Sequence, residues 1–205
     1  MKRIINSFCV ISIAILFSAM DSIPSSDGWI KLFDGKTLKG WKVGENASTF
    51  SVNDGAIVVF GNRAHLFYDG PVKDHNFKNF EFKAKVMTMP GANSGMYIHT
   101  QYQETGWPEK GYEIQVNNSH TDWRRTGSVY AIQDVKEPPA KDNEWFTQHI
   151  IVQGKKITVK VDDKVINEYT EVENGKLSSG TVALQGHDPK SKVLYKDIMV
   201  KPLPD

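Results

Sequence analysis

The feature that most constrains this chain is its rhythm. Short apolar–polar alternations, each closed off by turn residues, follow one another from about residue 29 to the end, and no stretch beyond residue 22 keeps a helical period. In "FKNFEFKAKVM", Phe80, Phe82, Ala84 and Val86 share one face of an extended segment. The same reading predicts strands at Trp29–Phe33, Phe50–Val52, Ala56–Phe60, Ala64–Phe67, Phe77–Val86, Gly95–Thr100, Gly111–Val116, Ser128–Ile132, Phe146–Gln153, Lys156–Val161, Lys164–Tyr169, Gly180–Gln185 and Val193–Lys201. Asp34-Gly35, Asn53-Asp54-Gly55, Pro90-Gly91, Gln153-Gly154, Asp162-Asp163 and Asn174-Gly175 supply the turns, with Asp162-Asp163 at the tip of a hairpin. Many short strands of this kind pack as two antiparallel sheets or close into a barrel, so the fold class is all-β. The loop "KEPPAKDN" (Lys136–Asn143) could overhang a cleft.

The N-terminal residues set the compartment. Met1-Lys2-Arg3 precedes an apolar run, Ile4–Met20, broken by Asn6, Ser7, Ser12 and Ser18. It reads as a secretory signal peptide over residues 1–22, cleaved between Ser18 and Ser22, with an uncleaved anchor as the alternative. Cys9, the one cysteine, lies inside this run, and Asn6-Ser7-Phe8 before it does not form a lipoprotein cleavage box. The mature domain, 23–205, would then have neither disulfide nor thiolate chemistry. A periplasmic or secreted protein is expected, with no membrane association after cleavage. Losing Lys2, Arg3 and Asp21 leaves the formal charge balanced, which gives no reason to expect a nucleic-acid partner.

Two segments carry unusual polar faces. In "GYEIQVN", Glu113, Gln115 and Asn117 oppose Tyr112, Ile114 and Val116; in "GANSGMYIHTQ", Tyr97, His99 and Gln101 oppose Met96 and Ile98. A solvated strand face is richer in Lys, Thr and Ser. Carboxylate, amide, phenol and imidazole together suit the floor of a cleft that binds a sugar.

Six motifs in order, "WIKLFDGKTLKGWKV", "NFEFKAKVMTMPGANSGMYIHT", "GYEIQV", "TGSVYAI", "EWFTQHIIVQGKKITVKVDDKVI" and "GTVALQGHD" with "VLYKDIMVKPL", resemble the 3-keto-disaccharide hydrolase domain family from about Trp29 to Leu203. The resemblance implies a concanavalin A-like jelly-roll β-sandwich of two antiparallel sheets and action on glycosides oxidised to a ketone at carbon 3. One departure is Phe146, which follows Asn143-Glu144-Trp145 where the family often has Asn.

A 3-keto sugar loses its aglycone by elimination. The ketone acidifies the carbon-2 hydrogen, the enolate expels the group on carbon 1, and water adds back to the 2-hydroxy-3-keto-glycal. Such a route needs an acid/base near carbons 1 and 2 and donors at the keto oxygen, not a two-carboxylate pair. Glu113 is the candidate acid/base; otherwise it binds substrate or braces a strand. His187 in "LQGHD" is the second candidate, as acid, base, donor or metal ligand, or merely as a cap on the strand end. His99 could pair with Glu113 or be an ordinary surface residue. The resemblance favours a cleft-lining Asn93 in "NSG", where Asn93 and Gly95 otherwise shape a tight turn. Tyr97, Gln115, Tyr130 and Gln185 are expected to bind sugar hydroxyls. Arg125 could donate to a ketone or be a solvated arginine. Trp107 and Trp123 either stack on sugar or anchor loops. Trp29, Trp41 and Trp145 are expected in the core, and His65, His75, His120 and His149 at the surface. No ligand set of a known metal motif is present; a divalent ion would suit the enolate, and His187, Glu113 and His99 could assemble a site for it across strands. Two other functions compete: a non-catalytic carbohydrate-binding module, and a hydratase of the glycal.

Overall fold

The computed structural model describes residues 27–172 and 175–205; the expected leader over 1–22 and Cys9 lie outside them. The described strands in chain order are β1 (Ile30–Lys31), β2 (Trp41–Val43), β3 (Phe50–Asn53), β4 (Ala56–Phe60), β5 (Ala64–Tyr68), β6 (Phe80–Thr88), β7 (Ser94–Thr100), β8 (Tyr112–Val116), β9 (Phe146–Gln153), β10 (Lys156–Val161), β11 (Lys164–Thr170), β12 (Thr181–Gly186) and β13 (Lys192–Pro202). They form two antiparallel sheets. One runs β11-β10-β9-β6-β13-β4-β3, with β1 on the free stretch of β13; the other runs β2-β5-β12-β7-β8. This is the jelly-roll sandwich expected.

Alternation builds the first sheet. On β6, Phe80, Phe82, Ala84 and Val86 are buried while Glu81, Lys83 and Lys85 point outward, and β9 and β10 repeat the pattern with Ile150, Val152, Ile157 and Val159. These side chains meet Leu66, Met96, Ile98, Ile114, Val182 and Leu184 of the second sheet in one core. Truncating a member such as Phe82 to Ala would cost about 3–5 kcal/mol. Two hairpins close on left-handed pairs, Asp54-Gly55 (φ 47 and 76) and Asp162-Asp163 (φ 46 and 64), the geometry that matches strand twist.

Several expectations need correction. Ser128–Ile132 is not a strand: Val129 makes only isolated bridges to Ile114 and Gln133, and the chain turns through Gly127 (φ 90) and Ala131 (φ 57). The segment Trp29–Phe33 pairs over Ile30–Lys31 alone, and Phe77 makes only a bridge to Gly180 before β6 begins at Phe80. Strand β2, three residues long, was too short to stand out. "NSG" is no tight turn; Ser94 and Gly95 lie within β7. Trp145 is half-buried beneath Lys196, whose Nζ sits 4.0 Å from the ring centre. The 136–143 loop is tied down by Asp142, which accepts from Thr88 Oγ1 and Ser119 Oγ, and it does not line the cleft described next.

The second sheet positions the site. Strands β7 and β12 are buried along their whole length, so both faces of this sheet are covered: one by the core, the other by a cavity and the loops around it.

Candidate active site

The outward face of the five-stranded sheet carries an ordered row. Cross-strand register sets Phe67 opposite Ala183, Ala183 opposite Tyr97, and Tyr97 opposite Glu113; one step along, His65 lies opposite Gln185 and Gly95 opposite Gln115. A cavity of about 300 Å³ opens over this face, lined by Asn93, Tyr97, Trp107, Glu113, Gln115, Tyr130, Gln185 and His187 among others.

Glu113 is at its centre. Its side chain lies over Gly95, where a Cβ would come within 2.6 Å of Oε1 and 2.7 Å of Cγ, so glycine is what gives the carboxyl its place. Tyr97 Oη donates to Glu113 Oε2 at 2.7 Å and accepts from Gln185 Nε2 at 3.2 Å. Burial pushes the Glu113 carboxyl up to about 7; hydrogen bonds from Tyr97 and Gln185 pull the other way, and the charge of Asp122 adds to the rise. The same burial, with the Glu113 charge beside it, raises Tyr97 and keeps it a neutral phenol. Gln115 Nε2 donates to Asn93 Oδ1 at 2.8 Å. The buried carbonyl oxygens of Gln115 and Gln185 have no hydrogen-bond partner among the described residues.

Histidines and Trp107 close one side. His65 is 2% exposed, edge-on to Tyr97 (5.3 Å) and Trp107 (5.6 Å), and burial drives its pKa down to about 4, so the ring is neutral. Trp107, 43% exposed, also packs at 5.4 Å on His187. His187 Nδ1 lies 2.9 Å from Asp188 Oδ2. Burial raises the Asp188 carboxyl, but hydrogen bonds from Ser191, His187 and the Lys190 N–H outweigh it and bring the group down to about 2. An ionised carboxylate can only accept, so Nδ1 of His187 carries a hydrogen directed at it and the Nε2 edge faces away from Asp188.

His120, His187 and Asp188 each offer a ligand atom within 4.8 Å of the others, the geometry of a cation site. The proton placement argues otherwise for His120. Its Nδ1 accepts the Asp122 N–H at 3.0 Å, so Nε2 bears the hydrogen and is a donor facing Asp188 (3.9 Å) rather than a metal ligand. The trio fits a hydrogen-bond network better than a divalent-ion site.

The family model for the 3-keto-alpha-glucoside-1,2-lyase-like domain matches residues 28–201. The chain belongs to this lyase-like domain family. A "3-keto-disaccharide hydrolase" of Bacteroides thetaiotaomicron is 28% identical over 181 residues; the match takes in 73% of this chain and 62% of that relative's length. A crystal structure from Parabacteroides distasonis, assigned provisionally as a glycosyl hydrolase, superposes with TM-score 0.74 at 22% identity and covers 90% of this chain and 100% of that one. The carbohydrate-binding module CBM66 of Bacillus subtilis superposes with TM-score 0.59 at 12% identity, covering 79% and 95%. The sandwich is thus shared with a sugar-binding module, and fold alone does not assign chemistry to the lyase-like domain.

Within the lyase-like domain the structure gathers Glu113, His187, Asn93, Tyr97, Gln115, Tyr130, Gln185 and Trp107 around one cavity. It does not bring in His99 or Arg125. A bulge in the β7–β12 pairing, with His99 at φ 51, turns that ring away: Nε2 donates to Lys78 O at 2.8 Å and the ring packs on core Phe80, so no pairing with Glu113 exists. Arg125 Nη1 donates to Asn117 Oδ1, His120 O and Asp122 O and braces their loop. Trp123, 48% exposed, lies under Arg124 outside the cavity. Of the histidines expected at the surface, His65 is buried behind Tyr97 and Trp107, His120 packs on His187, and His149 is half-buried against Glu81 at 2.8 Å. The signal for His65 was present: in "AHLFY" it alternates with Leu66 and shares a face with Phe67.

Proposed function

We propose that this lyase-like domain cleaves the glycosidic bond of 3-keto-glycosides by elimination and hydration, with Glu113 as the acid/base. The observation that carries the reading is the Glu113 carboxyl itself: half-buried on the cavity floor, bonded to Tyr97, and with a pKa of about 7, so that it takes and returns a proton near neutrality. Its carboxylate removes the carbon-2 proton, and the electron pair passes through the enolate to expel the group on carbon 1. Carbons 1 and 2 are adjacent, so the same carboxyl hands its proton to the departing oxygen. Water then adds to carbon 1 of the glycal as His187 Nε2 takes its proton; Glu113, reprotonated from solvent, delivers a proton to carbon 2, and His187 releases its own to solvent. Asp188 holds His187 in the tautomer that this step requires. Tyr97, a neutral phenol, keeps its one O–H on Glu113 Oε2 and so holds the carboxyl in place on the cavity floor.

The deciding experiment follows aglycone release from a 3-keto-glucoside and from its unoxidised parent. Release from the keto compound alone, lost in Glu113→Gln, supports the proposal. Uptake of water by the glycal without aglycone release would make the domain a hydratase. Sugar binding with neither reaction would make it a binding module. We also propose export, from the sequence of residues 1–22; intact-mass analysis of the expressed protein should place the mature N-terminus between residues 19 and 23, and a full-length chain would refute it.

A further inference from the structure

Two tyrosines flank Glu113, one on each side. On β7, Tyr97 stands opposite it in the strand register. On the other side, the turn after Gly127 runs antiparallel to β8. Val129 bridges Ile114, the Gln115 N–H donates to Ser128 O at 2.9 Å, and the Tyr130 N–H donates to Glu113 O at 3.0 Å. That pattern sets Tyr130 opposite Glu113, and the side chains of such direct cross-strand neighbours leave one face about 5 Å apart. Ile114 and Val129 fall on the core face and are fully buried; Glu113 and Tyr130 both line the cavity.

The two phenols differ in what their hydrogens do. That of Tyr97 is committed to Glu113 Oε2 at 2.7 Å. Tyr130 is 38% exposed, and its hydroxyl has one partner among the described residues, Asp122 Oδ2 at 3.5 Å, the outer limit of a hydrogen bond. The hydroxyl can therefore turn to a ligand, while the ring that carries it is fixed. The Arg124 guanidinium lies 4.9 Å from the ring centre and is itself paired with Asp122 and Asp134. From the opposite sheet, Asn167 of β11 donates through Nδ2 to Gly127 O at 3.1 Å and Gln133 O at 2.8 Å, so both ends of the turn are anchored. Burial raises the Tyr130 pKa and the Asp122 charge adds to the rise, which keeps the phenol neutral.

Elimination across carbons 1 and 2 builds negative charge on the oxygen of carbon 3, the ring atom next to the one that Glu113 deprotonates. A donor for that oxygen has to stand beside Glu113, and it acts best when its acidity is close to that of the enol it faces. A phenol meets that condition and a side-chain amide, a far weaker acid, does not. Tyr97 is held by Glu113 and Arg125 by its loop, which leaves Tyr130.

We propose that the Tyr130 hydroxyl binds the oxygen on carbon 3, donating its hydrogen bond to the ketone and holding it through the enolate. The inference rests on Glu113 acting at carbon 2. Tyr130 keeps its proton throughout; the bond strengthens as charge develops on its partner, so the gain falls in the transition state. Tyr130→Phe should therefore lower kcat on a 3-keto-glucoside by about a hundredfold or more and leave KM within about threefold. A rise in KM with kcat unchanged would make Tyr130 a contact for an ordinary sugar hydroxyl and overturn the proposal, as would no change in either. A readout independent of turnover is the carbon-3 resonance of methyl 3-keto-glucoside labelled there with ¹³C and bound to Glu113→Gln. It should move downfield from its position in free solution, and lose most of that shift in the double variant with Tyr130→Phe. A loss of kcat with the resonance unmoved by Tyr130→Phe places another donor on the ketone and overturns the assignment. A shift that depends on Tyr130, in a protein whose wild type turns over no keto-glycoside, would keep the contact and refute the catalytic reading of Glu113. Neither shift nor turnover would refute both.

Discussion

A buried carboxyl with a raised pKa is a debt to stability, and Glu113→Gln measures it. The rise from 4.5 to about 7 means that the native state holds a proton that the unfolded chain has released across that interval. Stability on this account falls as pH climbs from about 4.5 to about 7 and stays low above it. At about 1.4 kcal/mol per pH unit the full effect is about 3 kcal/mol, and the partial opening of the cavity to solvent brings the expectation to about 1–3 kcal/mol. His65 acts in the opposite sense: its pKa is lowered from 6.5 to about 4, so it favours the folded state above about 6.5 and destabilises it as pH drops toward 4. In the wild-type protein the two nearly cancel between pH 4.5 and 6.5, and a single stability profile would hide both. The difference between Glu113→Gln and wild type removes His65. Urea unfolding of both proteins from pH 4 to pH 9 should show that difference growing in favour of the variant by about 1–3 kcal/mol, with the rise complete near pH 8. A constant difference, or one that shrinks with pH, would refute the claim that burial dominates at Glu113.

Other consequences are as direct. Gly95→Ala places a Cβ against the Glu113 carboxyl; the fold should survive at a cost of about 1–3 kcal/mol in thermal unfolding while kcat/KM falls by about a hundredfold or more. Tyr97→Phe removes a hydrogen bond that lowers the Glu113 pKa, so the acidic limb of the kcat/KM profile should move to higher pH by about one unit; a downward move would contradict the assignment. Asp188→Asn offers His187 a donor as readily as an acceptor and frees the ring to change tautomer; hydration of the isolated glycal should slow by about two orders of magnitude or more, with KM little changed.

What the sequence disclosed, and what it hid, follows from how far each feature depends on local pattern. Strand β6 and the Asp162-Asp163 hairpin were legible because alternation and turn chemistry are local, and Glu113, Tyr97 and Gln115 were legible for the same reason: the β7–β8 ladder is unbroken where they stand. His120 and Asp188 were not. They meet through two loops, that of His120 held by Asn117 and Arg125 and that of Asp188 by Lys190 and Ser191, and no spacing along the chain encodes the meeting. The direction of the Glu113 shift follows from a carboxylate on a concave sheet beside Tyr and Trp; its extent does not, since that depends on how far the assembled sheet and loops exclude water.

His99 is the instructive failure. Period-two reasoning put it beside Tyr97, and it would be there if the ladder were unbroken. The ladder breaks because two glycines clamp the backbone at this point from neighbouring strands. A Cβ on Gly111 would lie 2.1 Å from Ile98 O, and one on Gly180 2.3 Å from Thr100 O; both would also touch the carbonyl of His99. The main chain of β7 is thus gripped from both sides, takes a left-handed residue, and sends the imidazole toward Phe80 and Lys78. Both glycines stand at the first turn of their strands in the sequence, "GYEIQV" and "GTVALQ", one flanking each side of β7. Paired glycines at the heads of two strands that embrace a third are therefore a readable mark that alternation in the third is interrupted. On that ground the tail of "GMYIHTQ" beyond Ile98 should be assigned to a face only after its neighbours have been read.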